Sequence, residues 1–363
     1  MDAAGSIKPL KVAFFSVVPS PYQRDLFAAL AARPEIALEV FYLENASPDS
    51  PWPEKPLAPY ERILPGFWFA LGSARCHVNW ALPDTSTFDV VVLNTLMSLT
   101  AQRLMRLDLR KVPWLFWGER LNNRARWHQS LCAPLAQSQG IVSIGTLALR
   151  DYQERFPAVP HYNIPYHCDL TPFLHVKAQE RTDGKVTFLL CGQMIRRKGV
   201  DIVLDAFRRL EGRAHLLLVG REGDLPELLK TVPDAVRSRI HYAGFQAPDE
   251  LPRFFSQADV FILPSRHDGW GVVVNQALGA GLPILCSDAV GAAHDLVIPE
   301  ENGLRFAAEN TDAAAHAMQR MIDEPELIPQ WGKKSRELAT RWQPAAGAQK
   351  WIDTLLAVAG KNA

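Results

Sequence analysis

The sequence predicts an α/β protein made of two doubly wound units. Three observations carry this. Short apolar runs recur along the chain, separated by segments with helical periodicity. Such runs, split by helices, indicate parallel sheets covered on both faces. The pattern then starts afresh in the second half of a 363-residue chain, a length that suits two ordinary domains. Hydrophobic content of 48% against 21% charged is enough to bury two cores and excludes a disordered chain.

In the first half, Lys11–Val18 reads as a strand and Gln23–Arg33 as the helix after it. Ala37–Tyr42, Val90–Asn94, Pro113–Trp117 and Ile141–Ile144 are further strands. The Pro-rich stretch Ser47–Pro65 reads as an excursion loop, and Phe67-Trp68-Phe69 as core or loop packing. A sharper alternative for that aromatic run is a greasy platform for a lipid-linked molecule or a membrane. The second half offers strands at Val186–Cys191, His215–Gly220, Ile240–Gly244, Val260–Pro264 and Pro283–Cys286, with helices at Asp201–Leu210 and Glu250–Gln257. The charged segment His175–Lys185 suits a linker or an early helix, and Ala345–Ala359 a final helix. No short tandem repeat is visible, which disfavours solenoids and propellers.

Lys plus Arg equals Asp plus Glu at 39 each, so no charge bias points to nucleic acid as a partner. Five cysteines, none in a C-x-x-C pair, fit a reducing compartment better than a disulfide framework or a zinc site. Met1–Leu10 lacks the apolar core of a signal peptide. No stretch reaches the roughly 20 apolar residues of a membrane span. The expectation is a cytoplasmic protein, with room for loose contact at the inner membrane face.

Open parallel sheets bind ligands beyond the carboxyl ends of their strands, so the turns after each strand carry the chemistry. The richest runs from Pro264 to Gly281, PSRHDGWGVVVNQALGAG. Asp268-Gly269-Trp270-Gly271 follows a strand and leads into a helix near Val272. The glycines let the backbone approach a ligand. The helix start offers free N–H groups and a positive dipole end, suited to an anion. Asp268 can bond hydroxyls, and Gln276 lies one turn inside the helix on the face of Val272. Equally, Asp268 can simply cap the helix. After the first strand of the second half, Gly192-Gln193-Met194-Ile195-Arg196-Arg197-Lys198-Gly199 forms a second turn. Lys198, with Arg197, can meet an anion; for Arg196 a solvated basic turn is the simpler reading.

These segments resemble family 4 of the retaining glycosyltransferases, the glycosyl transferases group 1 set. Asp268-Gly269-Trp270-Gly271 through Gln276-Ala277 resembles its E-G-F-G-L-x-x-x-E-A signature, with Asp268 and Gln276 in the two acidic places. Gly192–Asp201 resembles G-R-L-x-x-x-K-G-x-D. Gly281-Leu282-Pro283-Ile284, Ser287–Gly291 with Asp295, and Asn302-Gly303 resemble later motifs in their order, and Gly244-Phe245 an F-x-G element. The resemblance covers residues 186–306 strongly and the first half weakly, where Pro19–Asp25 replaces the usual Gly-Gly loop. Gln193 stands where the family has arginine.

The resemblance implies a GT-B fold: two Rossmann-like domains facing an interdomain cleft. Its divisions are residues 1–170 on the acceptor side, 171–344 on the nucleotide-sugar side, and 345–363 as a helix returning to the first domain. It implies retaining transfer from a nucleotide-diphosphate sugar to a glycan or lipid-linked glycan acceptor, in bacterial polysaccharide or glycoconjugate synthesis. Asp268 would bind and fix the donor sugar. Gly192, Arg197, Lys198, Phe245, Gly271, Val272 and Gln276 would hold the donor. No cofactor and no metal is expected, since protein cations would do the metal's work. On the acceptor side, Glu119 of Trp117-Gly118-Glu119-Arg120 would orient acceptor or sugar, Arg120 would bind acidic groups, and Asn94 is a further candidate. A surface ion pair is the plain alternative for the first two. Pro165–Asp169 takes the place of P-N-G-x-D, with His167 read as a hinge residue. Other readings of the same fold are a nucleotide-sugar epimerase or hydrolase, and a non-catalytic nucleotide-sugar-binding partner.

Overall fold

The computed structural model describes residues 8–46, 55–71, 74–121, 126–177, 184–210 and 212–360. These form two compact units. One comprises the chain up to Cys168 together with Pro344 onward; the other is Asp169–Gln343.

The first unit contains strands β1 (Leu10–Ser16), β2 (Ile36–Tyr42), β3 (Glu61–Ile63), β4 (Gly66–Leu71), β5 (Ala74–Asn79), β6 (Val90–Leu93), β7 (Trp114–Gly118), β8 (Gly140–Ser143) and β9 (His161–Asn163). Seven of them make one sheet in the order β3-β2-β1-β6-β7-β8-β9. Every neighbouring pair is parallel. The runs VVVL of β6 and WLFWG of β7 are buried throughout, as a sheet covered on both faces requires. Helix α1 (Pro21–Ala31) starts with its proline in the first turn, where no N–H is needed. It buries Leu26, Phe27 and Leu30. The final helix, Pro344–Val358, belongs to this unit. Its Trp351 is fully buried, edge-on to Phe14 at 5.1 Å and to Trp117 at 5.3 Å. Each such pair adds about 0.5–1.5 kcal/mol beyond area burial. His167 lies under the same helix: a Cβ at Gly347 would come within 2.7 Å of the His167 Cβ.

The second unit contains β10 (Val186–Cys191), β11 (Ala214–Val219), β12 (Ile240–Tyr242), β13 (Val260–Leu263), β14 (Ile284–Ser287) and β15 (Gly303–Phe306). Their order is β12-β11-β10-β13-β14-β15, again all parallel. In both sheets the strand order reverses at the first strand: β1 lies between β2 and β6, and β10 between β11 and β13. That reversal opens a crevice at the strand ends, where such sheets take ligands.

Two expectations are corrected. Ser47–Pro65 is not loop throughout. Residues 47–54 lie outside the described set, but β3 ends the stretch and pairs with β2. Periodicity missed it because β3 buries a carboxylate: Glu61 is held by Arg24 at 2.6 Å and by the Tyr42 hydroxyl at 2.7 Å. Phe67-Trp68-Phe69 is neither core nor loop. It lies in β4, which pairs antiparallel with β5 as a separate two-stranded sheet, and all six residues of β4 are exposed. Of His175–Lys185, residues 178–183 lie outside the described set; the early helix stands just ahead, at Thr171–Leu174.

Candidate functional site

In the second unit, the turns after β10 and β13 are locked together. Gly199 is left-handed, with φ of 74°, and a Cβ there would fall 2.0 Å from the Pro264 carbonyl oxygen. The Arg266 N–H donates to the Arg197 carbonyl at 2.9 Å. The Arg266 guanidinium makes two 2.8 Å bonds to Asp201 at the start of α3 (Val200–Arg208). This buttress holds the Lys198 ammonium directly on the Asp268 carboxylate. Both side chains are largely withdrawn from water, at 15% and 11% exposure, so the two charges attract more strongly than a surface pair would.

The backbone around Asp268 is equally constrained. Its N–H donates to the Ala289 carbonyl and its carbonyl accepts from Gly291, both across to the turn after β14. Gly271, with φ of 93°, precedes α4 (Val272–Ala280). A Cβ there would lie 3.2 Å from Val290 and 3.6 Å from the Asp268 carboxylate. The left-handed φ and the close Val290 are what call for glycine at this helix entrance. Trp270 is buried, donating its indole N–H to Asn275 at 2.8 Å, which pins the turn to α4.

Lys198, Asp268 and Gly271 therefore come together. Arg197 joins them indirectly, donating to the carbonyl of His267 at 3.1 Å. Val272 opens α4 and Gln276, half-buried, lies one turn in. Gly192 follows β10 beside Gly220: a Cβ on Gly220 would fall 1.8 Å from the Gly192 carbonyl oxygen. Gly220 in turn donates to Gly244 at 2.8 Å. Phe245 follows, 46% exposed, two strands from β10. Arg196 reaches Asp201 at 3.3 Å with its side chain 68% exposed. Cys191, beside Gly192, is buried, which pushes its thiol up to about 12 and keeps it from acting as a nucleophile.

The first unit holds a cavity of about 370 Å³ at the ends of β1, β6 and β7, within the size range of small-ligand sites. Asn94, Glu119 and Arg120 all line it. Asn94 accepts from the Gln23 amide at 2.7 Å and donates to the Trp117 carbonyl at 2.8 Å. Arg120 bonds Asp151 at 3.2 Å. Glu119 is exposed and hydrogen-bonded to Tyr166, whose phenol burial and the Glu119 charge push well up. Tyr166 packs edge-on to Tyr22 at 4.7 Å and to Trp117 at 5.4 Å, forming an aromatic wall. Sequence reasoning missed Gln23, Tyr166 and His128 of this cavity, and the Arg266–Asp201 buttress. Gln23 had a usable signal: Pro19–Asp25 follows β1 as Asn94 follows β6.

Residues 174–338 match the model of the family described as glycosyl transferases group 1. Over the whole chain the fold is GT-B. Sucrose-phosphate synthase of Thermosynechococcus elongatus superposes with a TM-score of 0.75 at 19% identity, over 97% of this chain and 100% of that one. HepE of Anabaena, solved in complex with UDP, gives 0.72 at 13% identity, over 96% and 100%. In sequence, a GDP-mannose-dependent alpha-(1-6)-phosphatidylinositol monomannoside mannosyltransferase of Mycobacterium tuberculosis is 28% identical over 50% of each chain. The chain spans half or less of the length of the first curated relatives it matches. Among the described residues no helix is long and apolar enough to cross a membrane.

Proposed function

We propose that this protein is a retaining glycosyltransferase that moves a sugar from a nucleoside-diphosphate sugar to a glycan or glycolipid acceptor, in bacterial polysaccharide or glycoconjugate synthesis. The observation that carries the reading is the Lys198–Asp268 pair at the entrance of α4. A cation, a carboxylate and free helix-start N–H groups are what a sugar diphosphate needs. The ammonium takes the diphosphate and the carboxylate takes sugar hydroxyls. The UDP bound to the Anabaena relative and the GDP-mannose dependence of the mycobacterial one support a donor of this chemistry.

In this reading Lys198, Arg197 and the N–H groups at Gly271–Val273 stabilise charge on the departing diphosphate. No divalent cation enters it, because protein cations offset that charge. Asp268 fixes the sugar while its anomeric bond breaks through an oxocarbenium-like state. The acceptor arrives on the face the diphosphate leaves, and a donor phosphate oxygen takes its proton. Gly192, Phe245 and Gln276 line the nucleoside, Gln276 bonding the ribose as an amide rather than an acid. Glu119, Arg120 and Asn94 orient the acceptor in the aromatic-walled cavity of the first unit, which has the mixed apolar and polar lining that a sugar's two faces call for. The protein works in the cytoplasm, where its donors are made.

The test is a melting-temperature screen against UDP-, GDP- and ADP-sugars, since a ligand of the native state raises apparent stability. Product analysis by NMR with the stabilising donor follows. A retained anomeric configuration on an acceptor supports the reading. An inverted product, or donor turnover that ignores acceptor, sinks it.

A further inference from the structure

The β4–β5 hairpin exposes an apolar face that the described residues leave uncovered. Side chains alternate along a strand. On β5, Arg75, His77 and Asn79 point toward the body of the unit. Arg75 meets Glu44 at 3.2 Å, His77 meets the same carboxylate at 3.4 Å, and the Asn79 side-chain amide donates to the Leu43 carbonyl at 3.0 Å. The other face carries Phe67, Phe69 and Leu71, paired across the strands with Val78, Cys76 and Ala74. Trp80 follows, its ring 6.5 Å from that of Phe67. Phe67 is 57% exposed, Leu71 66% and Trp80 61%. That face has no charged side chain.

A cationic segment packs against the opposite, body-facing side of β5. Helix α2 (Leu99–Arg103) packs on β5 through Thr100, whose hydroxyl bonds His77 and Asn79. The chain continues through a single π-helical turn, Leu104–Asp108. Arg103, Arg106, Arg110 and Lys111 are all exposed, as are Leu99 and Leu107. Only Asp108 opposes these four cations within the segment.

An aromatic face with Trp at its edge, backed by a cluster of Arg and Lys, matches the two layers of an anionic bilayer surface. Phe and Leu enter the acyl boundary, Trp sits at headgroup depth, and cations meet lipid phosphates. We propose that strands β4 and β5 and the Leu99–Lys111 segment dock this protein on an anionic lipid bilayer. This rests on the hairpin and its neighbour, independently of the transfer reaction.

The experiment is sedimentation of the full chain with vesicles of phosphatidylcholine, alone or with phosphatidylglycerol added, at low and high salt. Two double variants accompany it: Phe69→Ser with Leu71→Ser, and Arg110→Gln with Lys111→Gln. All four side chains are exposed, and an unchanged melting temperature confirms folding. Wild type is expected to bind the anionic vesicles, less so at high salt, with a blue shift of tryptophan fluorescence that Trp80→Phe diminishes. Each double variant should bind about tenfold more weakly. Failure to bind anionic vesicles, or equal binding by wild type and variants, overturns the proposal. So does self-association of the wild type that the Phe69/Leu71 variant loses without any vesicle binding; that outcome assigns the face to a second copy of the chain.

Discussion

Lys198 donates to the carboxylate of Asp268, so the cation that follows β10 and the acid that follows β13 neutralise each other at the point where the sheet order reverses. On the proposed reading, a diphosphate entering this crevice takes the ammonium from the carboxylate, so that donor binding exchanges one charge-assisted bond for another and releases Asp268 toward the sugar. Coupling of this kind sets how both side chains respond to substitution.

Removing the cation should leave the diphosphate without its main partner. Lys198→Ala is expected to weaken nucleoside-diphosphate binding by about ten- to a hundredfold, the roughly 1.5–3 kcal/mol of a charged hydrogen bond. Calorimetric titration reads this directly. Unchanged affinity would take Lys198 out of the phosphate site.

The junction between the two turns should tolerate no side chain at Gly199. An added Cβ would meet the Pro264 carbonyl oxygen at 2.0 Å and would also need φ of 74°. Gly199→Ala should cost about 2 kcal/mol or more and weaken donor binding, as the Lys198 turn moves off the Asp268 turn. Gly212→Ala is the contrast, since nothing lies within 4 Å of a Cβ there; it should stay within about 0.5 kcal/mol of wild type. Equal melting temperatures for the two variants would contradict the packing described.

His167 should make the first unit acid-sensitive. Burial holds its folded-state value down at about 4, against 6.5 when exposed, despite its 2.8 Å bond to the Pro165 carbonyl. Below pH 6.5 the unfolded chain takes up a proton that the folded chain refuses until about pH 4. Stability contributed by the neutral ring is therefore full above pH 6.5 and declines through that window, by roughly 3 kcal/mol in all. Denaturant melts of wild type and His167→Gln at pH 7.5 and pH 4.5 test this. Carboxylate contributions are common to both chains, so the wild type should show the steeper loss. Parallel losses would refute it.

The repeated strand–helix pattern was legible because apolar runs such as VTFLLC and VVVL have no other home than a sheet covered on both faces. The Asp268 and Lys198 turns were legible because glycines flanked by an acid or a base stand directly after the apolar runs of two strands. What escaped was polar or nonlocal. β3 hides behind its buried Glu61, whose partners Arg24 and Tyr42 are distant in sequence. The Arg266–Asp201 bonds span 65 residues, and no local pattern announces such a pair. Gln23 meets Asn94 only because β1 and β6 are neighbours in the sheet. Aromatic residues of β4 read as core because sequence carries hydrophobicity but not which face stays uncovered.

The most direct measurement is calorimetric titration of wild type and Asp268→Asn with the nucleoside diphosphate that stabilises the protein best. The amide removes the competing charge yet keeps the shape. The variant should therefore bind the diphosphate about fivefold more tightly, on the order of 1 kcal/mol, while sugar transfer is lost. Binding that is unchanged or weaker in Asp268→Asn would contradict a diphosphate that takes Lys198 from Asp268.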